Sequence, residues 1–129
     1  MQRVSKVVKV EVFFQKTSPI TIVVQASGEV PTGGWSNPEL GAWRYVMPPA
    51  DGIQDFDFIA KEPTGMASDV ITPITAVASV QADPHNYWGE GKPLKGVRVH
   101  AQQNSMEGTE AGEQFRLDRW VPWPWPWRT

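Results

Sequence analysis

Apolar and polar side chains alternate along the first thirty residues of the chain. The inward positions of the first run are Val4, Val8, Val10, Val12 and Phe14, and those of the second are Ile20, Ile22, Val24 and Ala26. Side chains of a β-strand point alternately to opposite faces, so this period predicts two half-buried strands. Because both runs are short and rich in β-branched residues, an antiparallel pair joined at Ser18–Pro19 is expected.

The alternation returns further along the chain, between segments rich in proline and glycine. Residues 28–38 are turn formers and predict a connection that contains Trp35. Further strands are predicted at residues 43–47, 53–61, 70–80 and 97–102, and Pro73 places the strand at 70–80 at a sheet edge or bulge. The residues expected to form the core are Trp43, Tyr45, Phe56, Phe58, Val97 and Val99. The polar residues 103–112 predict a mobile loop, and Phe115, Leu117 and Trp120 predict a seventh strand.

These elements define an all-β fold class. Helical periodicity with capping residues is missing, and the twelve prolines occupy nearly every connection. About seven short strands separated by turns are typical of an antiparallel β-sandwich, here an immunoglobulin-like Greek key, with a barrel as the alternative. The chain of 129 residues divides into a sandwich domain, residues 1–119, and a Trp/Pro-rich extended tail, residues 120–129.

Composition and charge exclude several function classes. The absence of cysteine excludes disulfides, thiolate metal sites and cysteine nucleophiles. A net charge of -2 without a basic stripe gives no support to nucleic-acid binding. The first apolar run is broken by Lys9 and Glu11, and no stretch approaches the roughly 18 apolar residues of a membrane span. A soluble, cytoplasmic protein without a signal peptide is therefore predicted.

Candidate catalytic chemistry is sparse. The chain has two histidines, His85 and His100, and lacks a nucleophile elbow or a phosphate-binding glycine loop. The pattern places His100, like Asp55 and Asp57, on a solvated strand face, with Arg44 as a possible opposite charge. A calcium site at Asp51, Asp55 and Asp57 is the alternative, but Ca²⁺ usually needs more oxygen ligands. We expect no catalytic residue, no cofactor and no bound metal, and a hydrolytic enzyme ranks third among the functions.

One loop combines polar and aromatic side chains. It carries His85, Asn86, Tyr87 and Trp88 within residues 83–89. Loops with Tyr and Trp beside polar groups are typical of recognition surfaces. These residues are expected to be more exposed than the strands and, with Trp35, to bind a carbohydrate or small ligand. The structural alternative is a turn whose Trp88 folds back over the edge of the core.

The last ten residues hold four of the seven tryptophans, Trp120, Trp123, Trp125 and Trp127, and the last three of these alternate with prolines. In an extended strand all the missing proline donors lie along one edge, which is typical of a blunted sheet edge. The tail could complete its own domain, dock on another subunit or partner, or sit at a membrane interface, the least favoured of the three. The predicted function is therefore a non-catalytic module that binds an unidentified protein and copies of itself as a homo-oligomer, with glycan or small-ligand binding as the alternative.

Overall fold

The computed structural model describes residues 1–110. Its strands are β1 (Gln2–Arg3), β2 (Lys6–Gln15), β3 (Thr21–Val30), β4 (Ser36–Ala42), β5 (Ile53–Lys61), β6 (Thr72–Gln81), β7 (Gly96–His100) and β8 (Ser105–Gly108). Within this part of the chain the helical structure is one 3-10 turn, Pro84–Asn86, which confirms the all-β class. No helix among these residues has the length and apolar character needed to cross a membrane. The predicted strand near Phe115 and the tail at residues 120–129 lie outside the described residues.

The strands form two sheets. The β3 sheet has the order β2-β3-β6 and is antiparallel throughout. The β5 sheet is centred on β5, which pairs with β4 along one edge and with β1 and β7 along the other, and β8 lies outside β7. The β5–β7 pair is parallel, so the prediction of a wholly antiparallel fold was wrong. The physical reason is that β6, in the other sheet, separates β5 from β7 and returns the chain to the end of the sheet where β5 begins.

Both sheets contribute side chains to one hydrophobic core. In β3 the burial alternates without interruption, and Ile22, Val24 and Ala26 are buried as predicted. The predicted core residues Phe56, Phe58, Val97 and Val99 of the β5 sheet are buried as well. Gly28 lies opposite the Phe58 ring, where a side chain would collide with that ring and with the backbone of Lys6. Gly28 is therefore an interior residue of β3 rather than the start of a connection, which begins after Val30.

A β-bulge changes the inward face of β2. Val7 pairs with Gly28 and Lys9 pairs with Ser27, which leaves Val8 as the extra residue. Val7 is consequently buried and Val8 is 42% exposed. The sequence pattern was thus correct after the bulge, at Val12, and wrong for Val8.

Residues 43–47, predicted to form a strand, do not form one, and the strand of this region lies earlier in the chain. β4 is Ser36–Ala42, and the following residues cross the edge of β5 without forming a strand. Trp43 is 39% exposed and Tyr45 is half-buried, so assigning both to the core was wrong. The reason is that side chains alternate between two faces only in a regular strand. In an irregular segment, alternation of aromatic and polar residues therefore does not indicate which side chains are buried.

The predicted mobile loop at residues 103–112 contains a strand. β8 pairs with β7 over Ser105–Gly108. Before it, the Asn104 amide accepts the Val7 N–H at 2.9 Å and donates to the Val7 carbonyl at 2.8 Å. The polar composition misled the prediction because an edge strand has few positions that need apolar side chains. The placement of Pro73 was correct, since β6 is an edge strand.

We predict that Gly28→Ala lowers the free energy of unfolding by roughly 1–3 kcal/mol, because the added methyl would collide with the Lys6 carbonyl oxygen and would also crowd the Phe58 ring. Urea unfolding provides the measurement. Gly41→Ala in β4 is the matched control, because its new methyl group meets nothing nearer than the Asp57 carbonyl oxygen at 4.0 Å. Equal losses in the two variants would contradict the close packing around Gly28.

Candidate functional site

A tight turn at the start of β5 gathers the polar and aromatic side chains of the site. The Gly52 N–H donates to the Pro49 carbonyl at 3.1 Å, and Gly52 adopts a positive φ of 71°. The Asp51 carboxylate accepts the Ile53 N–H at 3.0 Å. This turn directs the chain into β5 beneath residues 43–48.

Asp55 is a buried carboxylate on the outer face of the β5 sheet, with a relative exposure of 6%. Its Oδ2 accepts the Tyr45 hydroxyl at 2.5 Å, and its Oδ1 accepts His100 Nε2 at 2.7 Å and Arg98 Nη1 at 3.2 Å. The Asp55 N–H in turn donates to the Tyr45 oxygen at 2.8 Å. The expectation of a solvated Asp55 was therefore wrong, because neighbouring side chains cover this part of the sheet.

The two acids Asp55 and Tyr45 have pKa values shifted in opposite directions. Burial by itself would raise the pKa of Asp55, but hydrogen bonds from Tyr45, His100 and Arg98 favour the carboxylate and lower it overall. Burial is the largest cause that raises the pKa of Tyr45 to about 12, and the hydrogen bond to Asp55 adds to it. At neutral pH the proton therefore stays on the phenol and the charge stays on the carboxylate.

His100 is held at one ring edge and covered on one face. An ionised carboxylate only accepts hydrogen bonds, so His100 Nε2 carries a proton where it meets Asp55. The imidazole stacks on Trp43 with centroids 4.7 Å apart and planes 12° apart. The interpretation of His100 as an ordinary exposed residue was wrong, since its side chain is only 20% exposed.

Arg98 joins three carboxylates. Beside its contact with Asp55, its Nη2 lies 3.4 Å from Asp51 and 3.0 Å from Glu107. The pKa of Arg98 is raised, with the hydrogen bond to Glu107 as the largest cause. The structure gives the counter-charge role to Arg98, and to Arg3 beside Asp57, rather than to Arg44. The charges of this cluster compensate one another, and together they hold Tyr45 and Trp43 against β5.

Hydrogen bonds from its own side chains hold the loop at residues 83–91, which contains the predicted recognition residues. Asp83 accepts the His85 N–H at 2.9 Å and an Asn86 amide hydrogen at 2.8 Å. Asn86 also accepts the Gly91 N–H at 2.8 Å. His85 and Asn86 are exposed, as predicted, and their contacts shape the loop.

Tyr87 and Trp88 are anchored to the start of β5. The Tyr87 hydroxyl donates to Gln54 Oε1 at 2.8 Å, and burial raises the pKa of this phenol. Trp88 Nε1 donates to the Gly52 carbonyl at 2.9 Å, and the Trp88 ring meets Tyr45 edge-on at 5.3 Å. Gln54 Nε2 donates to the Trp43 carbonyl at 2.9 Å, which links the loop to the opposite segment.

An open groove of about 570 Å³ lies between the two anchored segments. This aromatic groove is lined mainly by Trp43, Tyr45, Met47, Pro48, Tyr87 and Trp88, and it is bordered by Arg44. Its volume lies within the usual range of ligand sites, about 300–1,000 Å³. The groove is thus a mixed polar and aromatic surface with rings fixed from beneath.

The structure brings together only some of the residues predicted from sequence. Tyr87 and Trp88 line the aromatic groove, and His85 and Asn86 lie on the loop behind it. Trp35 lies at the other end of β5, where it donates to Thr32 at 3.1 Å, so it does not join the site. Trp120, Trp123, Trp125 and Trp127 lie outside the described residues. Sequence reasoning missed Trp43, Tyr45 and Gln54 as site residues; the loop-forming prolines after Met47 were the available signal.

In residues 1–110 no group of three or more His, Cys, Asp or Glu side chains is arranged to hold a metal ion. The chain matches no model of a known protein family, no curated protein and no solved structure. Function is therefore inferred from the geometry of the site.

We predict an alkaline transition controlled by Tyr45. In a Tyr87→Phe variant, which keeps one of the two tyrosines, near-ultraviolet absorbance should show the phenol ionising at about pH 12 in the folded protein. In urea it should ionise near pH ~10. Because the folded pKa is raised, this phenol contributes stability that is present below about pH 10 and lost as the pH rises through the folded pKa.

Adding Asp55→Asn should lower the pKa of Tyr45 in the same titration, since the buried negative charge is removed. Circular dichroism monitors whether each variant stays folded. If Tyr45 of the folded Tyr87→Phe variant, with Asp55 intact, ionised at about pH 10, the buried pair would be contradicted.

Proposed function

We propose that the protein is a non-catalytic protein-binding module and that the aromatic groove is its binding surface. The observation that carries the proposal is the combination of anchored rings with exposed apolar neighbours. Met47 is 73% exposed and Val46 is fully exposed, beside rings held by Gln54 and Gly52. Rigid, partly exposed Trp and Tyr side chains dominate the energetics of many interfaces, because little side-chain entropy is lost when they bind.

The polar cluster supports binding rather than catalysis. General acid–base or nucleophilic catalysis needs a group that is free to exchange a proton with the substrate. The two tyrosine hydroxyls at the groove instead donate to Asp55 and Gln54. Behind them, Asp55, His100 and Arg98 are engaged with one another. Their role is to position Trp43 and Tyr45 at the groove.

The ring geometry favours a protein segment over a sugar. Tyr87 and Trp88 lie at 86° to each other, and Tyr45 and Trp88 at 90°, so these three rings do not form a flat platform. Crossed rings create pockets between them, which suit the side chains of an extended peptide, and proline-rich peptides commonly bind such aromatic grooves. Glycan or small-ligand binding remains the second candidate, supported by the partly exposed ring of Trp43.

We also propose that the two sheets are the layers of an immunoglobulin-like β-sandwich. The support is the single core to which both sheets contribute, including the contact between Phe58 and Gly28. In sandwiches of this kind the loops at one end of the layers often form the binding surface. The aromatic groove lies at such an end, where β5 begins.

Binding of a library of proline-containing decapeptides and a panel of oligosaccharides to the full chain tests the proposed function. We expect peptide binding that weakens at least about tenfold in Trp88→Ala and in Met47→Asp, because the first removes a groove wall and the second adds a charge. Met47 is exposed, so Met47→Asp should fold normally. Met66→Asp is the matched control, because Met66 is also fully exposed but follows the far end of β5.

Unchanged peptide affinity in both groove variants would show that the groove is not the binding surface. Binding restricted to oligosaccharides, with the same loss in the groove variants, would select the second candidate.

A further inference from the structure

The aromatic groove leaves large apolar side chains in contact with water. Val46 and Met47 project beside the partly exposed Trp43 ring. Exposed apolar patches of this kind mark binding surfaces and, when uncovered, promote aggregation. An occupant for the groove is therefore expected within the protein's own assembly.

The chain contains a segment with matching chemistry. Residues 121–127 read Val-Pro-Trp-Pro-Trp-Pro-Trp and carry no charge. Proline has a restricted φ and no N–H, so a proline-alternating segment loses little conformational entropy when it binds and leaves few donors unsatisfied. Each tryptophan can bury about 150–250 Å². Such a segment suits a groove with crossed aromatic walls.

The described part of the chain ends on the same side of the molecule as the groove. β8 runs antiparallel to β7, so the chain leaves the sheet where β7 and β5 begin. Glu110 lines a small cavity together with Lys95. The Lys95 N–H donates to the Gly52 carbonyl at 3.0 Å, and the same carbonyl accepts Trp88 Nε1 at 2.9 Å. The cavity that Glu110 lines therefore borders Lys95, whose backbone N–H shares its acceptor with Trp88 of the groove wall.

The intervening chain is long enough to reach the groove. The described chain ends at Glu110, which pairs with Val12 of β2. From β2 past β8 and β7 to the outer edge of β5 the path crosses about four strand spacings of ~4.8 Å, or roughly 19 Å. The ten residues 111–120 can span up to about 33 Å. A connection within one molecule therefore requires no extended tether.

We infer that residues 121–127 bind in the aromatic groove of their own chain. The inference rests on the proposed function of the groove and names its resident ligand. A short tether gives an effective concentration in the range of about 1 mM, so the chain's own segment prevails over a second copy at ordinary protein concentrations. The groove is then autoinhibited, and a partner peptide binds only by displacing residues 121–127.

A competition experiment with full-length chains tests this inference. The probe is the free peptide Val-Pro-Trp-Pro-Trp-Pro-Trp-Arg-Thr, residues 121–129 of the sequence. A variant with Trp123, Trp125 and Trp127 all changed to Ala should bind this peptide at least about tenfold more tightly than the unaltered chain, because its own segment no longer competes. Adding Met47→Asp should abolish that binding, whereas adding Met66→Asp should preserve it.

The outcomes separate the inference from the proposed function. Equal peptide affinity in the two chains would overturn autoinhibition while leaving the groove a peptide-binding site. Failure of this peptide to bind, with library peptides still binding at the groove, would overturn the inference in the same way. Insensitivity of all peptide binding to Met47→Asp would instead overturn the proposed function.

Photo-cross-linking identifies the contact directly. A benzophenone amino acid replaces Trp125 in the full chain, and a mixture of nitrogen-15-labelled and unlabelled copies is irradiated. The expected products join position 125 to residues 43–48 or 87–88 of the same molecule. In such products both cross-linked peptides are labelled or both are unlabelled. Mixed-isotope products would overturn the intramolecular contact in favour of a second copy. Products along β2, or none within the protein, would overturn groove docking in favour of an edge strand or another surface.

Discussion

The buried charge of Asp55 is the constraint on which the arrangement of the site depends. Removing a carboxylate from water costs several kcal/mol unless charged and hydrogen-bonded partners replace the lost hydration. Here the partners come from two other parts of the chain: Tyr45 from the segment after β4, and Arg98 and His100 from β7. The charge is satisfied only when β7 lies beside β5 and residues 43–45 lie over the sheet. The parallel pairing of β5 with β7 places both basic side chains on the face that carries Asp55.

Two consecutive residues of β5 hold the two walls of the groove. Side chains of adjacent strand residues point to opposite faces, so Asp55 reaches outward to Tyr45 while Gln54 reaches the other way to Tyr87. Both Gln54 and Asp55 are buried. The groove walls are therefore held by a central strand together with the turn at Gly52 that precedes it. A surface prepared in this way binds with little reorganisation, which favours recognition of a short peptide.

Docking of residues 121–127 would make the groove a regulated surface without any moving domain. The tether supplies competition through effective concentration alone, and its strength depends on the length of residues 111–120 rather than on new contacts. The same rings that would otherwise form an adhesive patch would then be covered until a partner arrives. Docking of residues 121–127 in the groove would then both keep the protein soluble and restrict binding to partners that displace this segment.

Period-two alternation in the sequence was sufficient to predict the all-β class, the β2–β3 pair and the inward positions of β3, β5 and β7, because burial of one sheet face acts on every second residue. The composition of the loop at residues 83–89, rather than alternation, singled out Tyr87 and Trp88, which line the aromatic groove. Tertiary structure alone decided the bulge at Val8, the exposure of Trp43 and the partners of Asp55. Each depends on a residue distant in sequence: Val7 is held by Asn104, Trp43 stacks on His100, and Asp55 is covered by Arg98. A local pattern reports which face of a strand is apolar, but only the folded chain determines which polar side chains are covered, since their burial becomes favourable only when distant partners arrive together.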